Sequence, residues 1–592
     1  SLVIEPGVVI EVSPGKFIRV EGNIRAVGNS NEYITFESNK STKAWNDWKG
    51  IEIRPTSISS IDNNLDYVSG SQFKYVKIKH TERGVYVYNT GIHISNTEFT
   101  SNYKAIELRS VDGVVIDNSI FSENYYGIWS KYEDYESDSY GDIKNTHIRN
   151  NTFENNTYSI DFNLNQRVFE DFHINNNIIK NNEFGLDFSG GGYGARVTSV
   201  SIRNNIVYNN FHFGIKIGQI YGYSSGFSNA PENTYPLTIE KNILIKTDAG
   251  PGAASDGLFA LDLGGGVSGV PIKVANNIIY NKELTGNHIN GLRIKGGTSS
   301  KHLITSNLIY ADGTVLSTQD SYTDPNNMTF SYNTLLGSQT YDLIQMFGEG
   351  HKLNYNNFPF TSGKLALKNN GTNSINAENN YWGTTTESEI QDAIYDYNDN
   401  FDLGEVDYTP FASSPNVNAP ISPPKNVKII KLQGSAEISF DTNTESDLKG
   451  YKLHYGEFNG YSYSSVLDLG NITDTTISGI DVGTNPAITA YDNNADGTDD
   501  QVEGYESWFS KVNLISAPVG VNDSYQIAKG GELDLINGPF AHYQFDGNTN
   551  DLSGNGYNIN HGGPPDNIFY NDFFINDRFN KEKKALKFSG GS

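Results

Sequence analysis

The sequence contains no cysteine, which excludes a disulfide framework and any chemistry that needs a thiolate. Basic residues are few relative to acidic ones. The chain has 43 Lys and Arg against 69 Asp and Glu, and its net charge of −26 argues against nucleic acid and anionic membrane surfaces as partners. No run of about 18 apolar residues occurs, so no segment is expected to insert into a membrane. What remains is a chain of 592 residues, long enough for several domains, with 37 tyrosines, a residue type that commonly binds sugars and proteins.

A short phrase repeats through the middle of the chain. Each copy has an apolar strand that ends in Asn or Asn-Asn, then a turn, then Gly–apolar–variable–apolar. The copies read VVIDNSIF…GIWS (114–130), HIRNNTF…SIDF (147–162), HINNNII…GLDF (173–188), SIRNNIV…GIKI (201–217) and IKVANNII…GLRI (272–294), with a variant LTIEKNIL…LFALDL at 237–263. The period is roughly 22–36 residues and the strands alternate with period two, which predicts a right-handed parallel β-helix of about 14 coils. Asn suits these turns because it tolerates the left-handed conformation, and stacked amides hydrogen-bond from coil to coil.

The third letter of each Gly-led tetrapeptide is the candidate functional position. Its two apolar neighbours face the core, so this residue is expected to face solvent. Successive coils lie about 4.8 Å apart, so these residues should form one exposed column. The column reads Glu52, Tyr86, Glu107, Trp129, Asp161, Asp187, Lys216, Asp262 and Arg293.

Two spacings of carboxylates in this column suit glycoside hydrolysis. Asp161 and Asp187 on adjacent rungs would lie roughly 5 Å apart, as in retaining glycosidases, where one carboxyl group is the acid and the other the nucleophile. Asp187 and Asp262 lie two rungs apart, which suits the inverting class once the side chains converge. Both pairings stay open at this point. A lyase is a third possibility, with Lys216 or a histidine abstracting the proton beside a uronate.

Several residues around the column could bind an anionic sugar. His212 and His288 occupy equivalent turns just before Lys216 and Arg293, where each could act as acid, base or hydrogen-bond donor. Lys216 and Arg293 could neutralise a sulfate or carboxylate group of the substrate. The candidate substrate-binding residues are Arg293, Trp129, Glu107, Arg109, Lys295, Tyr193, Tyr221 and Tyr223, the last three from long Tyr- and Gly-rich insertions expected to wall a groove. The alternative is a charged ladder that only stabilises the solenoid through cross-strand pairs of about 0.2–1 kcal/mol each.

The repeat pattern ends near residue 378. We expect the β-helix to cover residues 1–411, with 378–411 as a C-terminal cap in which SEIQDAIYDY (388–397) has helical spacing. A Pro- and Ser-rich linker is expected over 412–422. Residues 423–517 carry the phrases PPKNVKII, AEISFD, DLKGYKLHYG, TTISGI and AITAYD and resemble a fibronectin type III domain, which implies a β-sandwich that acts as a spacer or binding module.

Within this segment, DNNADGTDDQVE (492–503) matches the calcium-loop pattern D-x-[DN]-x-[DN]-G-x5-E. The candidate ligands are Asp492, Asn494, Asp496, Thr498, Asp500 and Glu503, and the predicted calcium ion is structural. The alternative is an acidic solvated loop between two strands. After a second linker (518–539), residues 540–592 resemble the start of a laminin-G or concanavalin-like jelly roll, which implies a further calcium site at Asp546 and Asp551.

The order of these modules resembles that of secreted surface proteins and polysaccharide-degrading proteins of marine Bacteroidota. The β-helix itself resembles those of polysaccharide lyases and glycoside hydrolases. The resemblance implies an extracellular, secreted or cell-surface protein whose partner is a polysaccharide or a cell-surface glycan. It implies a glycoside hydrolase, or a lyase, for an anionic and possibly sulfated algal polymer. The second hypothesis is a non-catalytic adhesin or stalk. The ends of the sequence suggest further domains of one precursor on both sides.

Overall fold

The structure is a computed structural model. It describes residues 1–56, 59–130, 141–163, 168–189, 196–218, 234–247, 259–264, 271–282, 289–295, 301–318, 326–337, 341–432, 434–493 and 506–516, together with the backbone of Phe574–Ile575 and Ala585–Leu586. The chain forms two compact units, Ser1–Ala517 and Pro518–Ser592. In the second unit, the two short strands named above pair antiparallel. In the described residues, no helix has the length and apolarity needed to cross a membrane.

Three parallel sheets run along the first unit, as the repeats predict. Sheet one is formed by Leu2–Ile4, Ile24–Val27, Gln72–Lys74, Ile92–Ser95, Val111–Asp117, Ile143–Arg149, Val168–Asn175, Arg196–Val197, Val200–Arg203, Leu237–Glu240, Ile272–Ala275, Leu303–Thr305, Thr329–Ser331, Lys352–Asn354, Ile375–Asn376 and Val406–Asp407. Sheet two is formed by Val9–Val12, Ile34–Ser38, Val76–Lys79, Glu98–Thr100, Ile120–Ser122, Thr152–Glu154, Ile178–Lys180, Ile206–Tyr208, Ile243–Lys246, Ile278–Asn281, Leu308–Ala311 and Thr334–Gly337.

Sheet three carries the Gly-led tetrapeptides. It is formed by Phe17–Val20, Trp48–Ile53, Thr81–Tyr88, Lys104–Arg109, Tyr126–Ser130, Tyr158–Asn163, Phe184–Ser189, Ile215–Gly218, Phe259–Gly264, Asn290–Ile294, Leu316–Ser317, Ile344–Met346, Leu367–Asn369 and Ile394–Tyr395. These 14 described strands match the predicted number of coils. A short antiparallel hairpin, Ser60–Ile61 with Tyr67–Ser69, extends from an early coil.

The core is one continuous column of inward-facing apolar side chains. In sheet two, Phe99, Phe121 and Phe153 stack with ring centroids 4.9 and 4.5 Å apart, and all three are fully buried. Ile179 and Val207 continue the same column in register. Full burial of such a side chain stabilises the folded state by about 1.5–3 kcal/mol relative to exposure, so stacked coils need no cysteine to hold together.

Two ladders of buried asparagine amides line the turns on either side of sheet two. In each ladder, the Nδ2 of one Asn donates to the Oδ1 of the Asn in the next coil over 2.9–3.1 Å. The first ladder, between sheets one and two, comprises Asn151, Asn177, Asn205, Asn242, Asn277, Asn307, Asn333, Asn356 and Asn380. The second, between sheets two and three, comprises Asn102, Asn124, Asn156, Asn182 and Asn210.

The two roles predicted for Asn fall on different residues. The residue just before each ladder Asn adopts the left-handed conformation, as Asn150 and Asn204 do with φ of 57° and 56°. Lys241 (φ 55°), Ser306 and Tyr332 occupy the same position in other coils, so this position accepts several residue types. From Asn151 to Asn380 the ladder position itself stays Asn, whose amide carries two donors and an acceptor and can bond both its own coil and the next. In the earlier coils Ser119 and Thr97 continue the ladder, with the Thr97 N–H donating to Ser119 Oγ and the Ser119 N–H donating to Asn151 Oδ1.

The cap differs from the predicted helix. The helix Glu387–Asp392 is shorter than predicted, and Ile390 is its buried residue. Ile394–Tyr395 is instead a strand that pairs with Leu367 and Lys368 of sheet three. Ile394 and Tyr395, which helical spacing had assigned to a longer helix, therefore form the last strand of sheet three.

A two-sheet sandwich follows the β-helix in the same unit. One sheet has the order Asp474–Ser478, Ser435–Ser439, Val427–Leu432 and Val512–Ser516, and the other has the order Tyr463–Gly470, Leu448–Phe458 and Ala487–Asp492. Val427–Leu432 and Val512–Ser516 pair parallel, and the other pairs are antiparallel. Tyr451 is fully buried between the sheets, where its hydroxyl accepts the Asn443 N–H over 2.8 Å.

The sandwich packs against the side of the β-helix. Trp508 contacts the ring of Tyr280 on sheet two at 5.5 Å between centroids, and Tyr461 contacts Tyr208 at 5.8 Å. These residues belong to a separate apolar cluster with Ile243, Ile245, Ile278, Leu308, Leu336 and Phe509. The segment 412–422, predicted as a linker, also contacts the last coils, because the Asn416 N–H donates to Asn357 Oδ1 over 2.7 Å.

Candidate functional site

The predicted column exists on sheet three in the predicted register. Each member is the direct cross-strand partner of the next, so the third letters of the tetrapeptides line up on one face. The observed order is Glu52, Tyr86, Glu107, Trp129, Asp161, Asp187, Lys216, Asp262 and Arg293. This part of the sequence prediction is confirmed.

The predicted solvent exposure of the column is wrong for most of its members. Asp161 is 0% exposed and Asp262 is 1% exposed, while Glu107, Trp129 and Arg293 are also buried. Asp187 and Lys216 alone among the predicted catalytic members of this column keep part of their surface accessible within the described residues. Alternation along a strand sets which sheet face a residue takes, but not whether that face is open.

Charge neutralisation within the column is one physical reason for this burial. At its C-terminal end, the Arg293 guanidinium donates to both carboxylate oxygens of Asp262, with Nε–Oδ1 at 2.9 Å and Nη2–Oδ2 at 2.5 Å. Asp262 was predicted as an alternative catalytic partner and Arg293 as a substrate-binding residue. In the structure, this bidentate ion pair engages both side chains with each other.

The N-terminal end of the column is neutralised in a similar way. Glu107 Oε2 lies 3.3 Å from Lys104 Nζ and 3.2 Å from Arg83 Nε. Lys104 Nζ also lies 3.4 Å from the centroid of the Trp129 ring, in a close cation–π contact. Trp129 is therefore covered by a lysine and does not present an open platform for a sugar.

The centre of the column has a different character, because two acids stand opposite each other. Asp161 and Asp187 are direct cross-strand partners. The Ser189 hydroxyl donates to Asp187 Oδ1. Lys216 on the next rung is the only adjacent cation within the column itself, and its Nζ lies 5.4 Å from the centroid of the Phe213 ring. The carboxylate pair and the adjacent lysine are thus partly accessible to solvent, through Asp187 and Lys216.

A second, aromatic column lies beside the first on the same sheet. Tyr126, Tyr158 and Phe184 are cross-strand partners in register, with ring centroids 4.9 and 4.4 Å apart. His212 extends the stack at 4.3 Å from Phe184, and its Nε2 lies 3.6 Å from Glu183 Oε1. All four rings are half-buried, so their edges remain accessible.

Sequence analysis missed the aromatic column, although a signal was present. Tyr126 and Phe184 each directly precede the Gly of a tetrapeptide, in YGIW and FGLD, and Tyr158 holds the same place in YSID. Burial raises the pKa of Tyr158 to about 12, with the charges of Tyr125 and Asp161 adding to it. Burial and the Asp161 charge also raise the pKa of Tyr126. Both phenols therefore stay protonated near neutral pH and can donate hydrogen bonds.

The other predicted residues divide into two groups. Arg109 ends one strand of sheet three, Lys295 directly follows another, and both side chains are half-buried. Arg109 lies 5.8 Å from the centroid of the Tyr88 ring, in the coils that precede Trp129. The remaining predicted residues lie outside the described part of the chain: His288, Tyr193, Tyr221, Tyr223, Asn494, Asp496, Thr498, Asp500, Glu503, Asp546 and Asp551.

Asp492 is the one predicted calcium ligand that the structure describes. It ends the strand Ala487–Asp492 and is 2% exposed. Next to it, the Asn493 N–H donates to the Asp447 carbonyl, and the Asp447 side-chain Oδ1 is buried without a hydrogen-bond donor among the residues that the structure describes. Burial, together with the Glu445 charge, raises the pKa of Asp447. Among the described residues, no group of three or more His, Asp or Glu is placed to hold a metal ion, and calcium at this loop stays a prediction.

Comparison with known proteins agrees with this fold. No curated protein matches the chain. Three solved variants of the tailspike protein of E. coli bacteriophage HK620, in complex with a pentasaccharide, are similar. One is 11% identical with a TM-score of 0.38, covering 82% of this chain and 85% of that chain. The other two are 12% identical with TM-scores of 0.33 and 0.34, each covering 80% of this chain and 85% of that chain. Likeness at this level carries no argument about fold or chemistry. Residues 22–230 match the family model described as "Right handed beta helix region", and this part of the chain is a right-handed parallel β-helix.

Proposed function

We propose that this chain is a carbohydrate-active protein that cleaves an anionic polysaccharide at the Asp161–Asp187 pair. The observation that carries the proposal is the direct opposition of these two acids on adjacent rungs. Like charges placed directly opposite each other destabilise a sheet. Elsewhere the column pairs its acids with cations, as at Asp262 and Arg293. A local conflict of this kind, set in an otherwise consistent repeat, is typical of functional sites.

The rung spacing favours the retaining mechanism over the inverting one. Adjacent strands lie about 4.8 Å apart, close to the ~5–5.5 Å between the carboxyl groups of retaining glycosidases. The inverting alternative needs Asp262, which its ion pair with Arg293 occupies. Asp187 and Asp161 then divide the roles of nucleophile and general acid, and Asp187 is the half-buried member that a substrate can reach.

The neighbours of the pair supply substrate binding. Lys216, one rung from Asp187, offers a positive charge to a sulfate or carboxylate group on the sugar. His212, at the end of the aromatic column, is a candidate hydrogen-bond partner for a sugar hydroxyl. The half-buried rings of Tyr158 and Phe184 provide apolar edges beside it. A lyase reaction, in which Lys216 or His212 removes a proton beside a uronate, uses the same residues.

A second candidate function is glycan binding without cleavage, by a surface adhesin or stalk. The observation that favours it is the complete burial of Asp161. An acid that no substrate reaches cannot donate a proton to a glycosidic oxygen, and the column would then only stabilise the solenoid.

The test is activity of the Asp187→Asn variant. The full chain is incubated with fucan, carrageenan, alginate, ulvan and pectin, and reducing ends and unsaturated products are measured. For the polymer that is cut, we expect Asp187→Asn to lower the rate by about 10²- to 10⁴-fold, with an unchanged unfolding transition. Glu170→Gln, which changes an exposed acid on sheet one, serves as the control and should keep full activity.

Cleavage that persists in both Asp161→Asn and Asp187→Asn would remove these residues from the mechanism. Binding of a polymer without release of any product would select the adhesin.

We further propose that the protein is extracellular, that its sandwich is fibronectin type III-like, that residues 540–592 begin a laminin-G-like module, and that the loop 492–503 binds calcium. Asp492, buried at the base of the loop, supports the last point. A chelator is expected to lower the melting temperature of the chain by several degrees, because an ion that binds only the folded state stabilises it by mass action. Added calcium should restore the value, and Asp492→Asn should abolish the response. A melting temperature that ignores the chelator would contradict the site.

A further inference from the structure

A cleft of about 290 Å³ lies between the last coils of the β-helix and the start of the sandwich. Asn357 and Tyr381 line it from the coils, and Ser422, Asn443 and Glu445 line it from the sandwich side. It is far along the sequence from the Asp161–Asp187 pair and shares no residue with it. Ligand pockets commonly form where two such bodies meet.

One wall of the cleft is apolar, and the rest of its lining is polar and includes Lys425 and Asp441. Pro359, Pro415 and Pro423 line it together with the half-buried ring of Tyr381. Burial and the nearby Glu445 charge raise the pKa of Tyr381, so its phenol stays protonated. Flat apolar surfaces of this kind accept the C–H face of a small saturated ring.

The polar side of the cleft has an unmet hydrogen-bond acceptor. The Asn443 Nδ2 donates to the Ser422 carbonyl over 2.7 Å and to Glu445 Oε2 over 3.2 Å. Because both partners are acceptors, the orientation of the amide is fixed and its other atom must be the carbonyl oxygen. This Oδ1 is buried and has no donor in the described part of the chain. A buried acceptor without a donor destabilises the folded state, and a bound hydroxyl group would offset that cost.

Glu445 adds a second acceptor beside the first. It is 7% exposed, and its Oε1 accepts the Ser422 N–H over 2.9 Å. A carboxylate has about four lone-pair sites, so capacity remains after these two bonds. Two adjacent acceptors, one neutral and one anionic, are matched by a pair of neighbouring hydroxyl groups.

We propose that this cleft binds a single pyranose unit through two neighbouring hydroxyl groups, with the ring against Tyr381 and the prolines. The volume of about 290 Å³ lies just below the range for ligand pockets, about 300–1,000 Å³, which suits one ring and not a chain of several. A metal ion is less suited, since the described residues hold no cluster of three acidic or histidine ligands. The inference does not depend on polysaccharide cleavage, and it gives the chain a second sugar site.

The test uses saturation-transfer difference NMR on the full chain. The probes are the methyl α- and β-pyranosides of glucose, galactose, mannose, fucose and N-acetylglucosamine at millimolar concentration. Asn443→Ala also removes the bonds to Ser422 and Glu445, so the decisive variant is Thr442→Trp, which fills the cleft from an exposed lining position. Thr476→Trp, an exposed position on the strand Asp474–Ser478, is the matched control.

We expect at least one pyranoside to bind, with affinity at least about 10-fold weaker in Thr442→Trp and unchanged in Thr476→Trp. Because Thr442 lines the cleft and is not part of the Asp161–Asp187 pair, a loss of binding confined to Thr442→Trp separates the two sites, so either proposal can fail alone. A panel with no response, or equal affinity in Thr442→Trp, would overturn the inference. If no pyranoside gives a response and calcium alone binds at the cleft, the inference is overturned in favour of a cation site.

Discussion

Replacing Asn242 by Ala is expected to remove about 3–5 kcal/mol from the free energy of unfolding of the β-helix. Asn242 Oδ1 accepts the backbone N–H and the side-chain Nδ2 of Asn205, over 2.9 and 3.0 Å. Its Nδ2 donates to the Ile202 carbonyl over 2.9 Å and to Asn277 Oδ1 over 3.0 Å. Ala removes the acceptor of the buried Asn205 N–H, and it removes one bond each from Asn205 Nδ2, the Ile202 carbonyl and Asn277 Oδ1. A buried group left unpaired costs about 1–3 kcal/mol.

The neighbouring residue supplies the control for this prediction. Lys241→Asn changes the left-handed position (φ 55°) to the residue that most other coils of the first ladder carry there. Asn tolerates this conformation at least as well as Lys, so we expect a change below about 1 kcal/mol. Urea unfolding of both variants measures the difference. A loss under about 1 kcal/mol for Asn242→Ala would mean that the ladder does not contribute to the stability of the β-helix.

Replacing Glu506 by Gln is expected to destabilise the sandwich by about 3–5 kcal/mol. Glu506 is 3% exposed and accepts Lys452 Nζ at 2.8 Å, His454 Nε2 at 3.0 Å and the Thr489 hydroxyl at 2.7 Å. Lys452 is itself 4% exposed. Gln therefore leaves a buried lysine without its counter-charge, which is the costly way to break a buried ion pair. Glu437→Gln, at an exposed position of the same sandwich, should change stability by less than about 0.5 kcal/mol.

The same carboxylate gives the sandwich a pH dependence. Burial alone would raise the pKa of Glu506, but the hydrogen bonds from His454, Lys452 and Thr489 outweigh it and hold the pKa below its usual value. The stability from this lowered pKa is therefore fully present above the unfolded value of about 4.3 and is lost as the pH falls through the folded pKa. The free energy of unfolding of the wild type should decrease as the pH falls below about 4.3, and Glu506→Gln should flatten this slope. Parallel slopes in the two proteins would contradict the assignment.

The β-helix could be predicted because its signals are local and repeated. The Gly-led tetrapeptides placed Asp161, Asp187 and Lys216 in the correct register, since a one-residue slip would turn every apolar neighbour outward. The ladder asparagines were likewise visible as a column of one residue type. The sequence did not show which Asn of each pair adopts the left-handed conformation and which forms the ladder, because Asn150 and Asn151 look equivalent until the backbone angles are known.

The openness of the column could not be predicted in the same way. Exposure depends on residues far apart in sequence, such as Lys104 lying over Trp129 from the preceding coil. The length of the cap helix was overestimated for a related reason. Ile394 has helical spacing from Ile390, but pairing with Leu367 on sheet three decides its conformation. In both cases, the burial of the column and the length of the helix, contacts between residues far apart in sequence decided the outcome.

The asparagine ladder also bears on how such a chain can change in length over evolution. Every coil from Asn177 to Asn356 receives the same bonds from the coil before it and passes the same bonds to the next. A gene duplication or deletion whose ends fall on two equivalent asparagines would rejoin the bonding pattern without a mismatch. The number of coils is therefore a heritable quantity that can drift by whole units, and the distance between the N-terminal coils and the docked sandwich can lengthen or shorten with it.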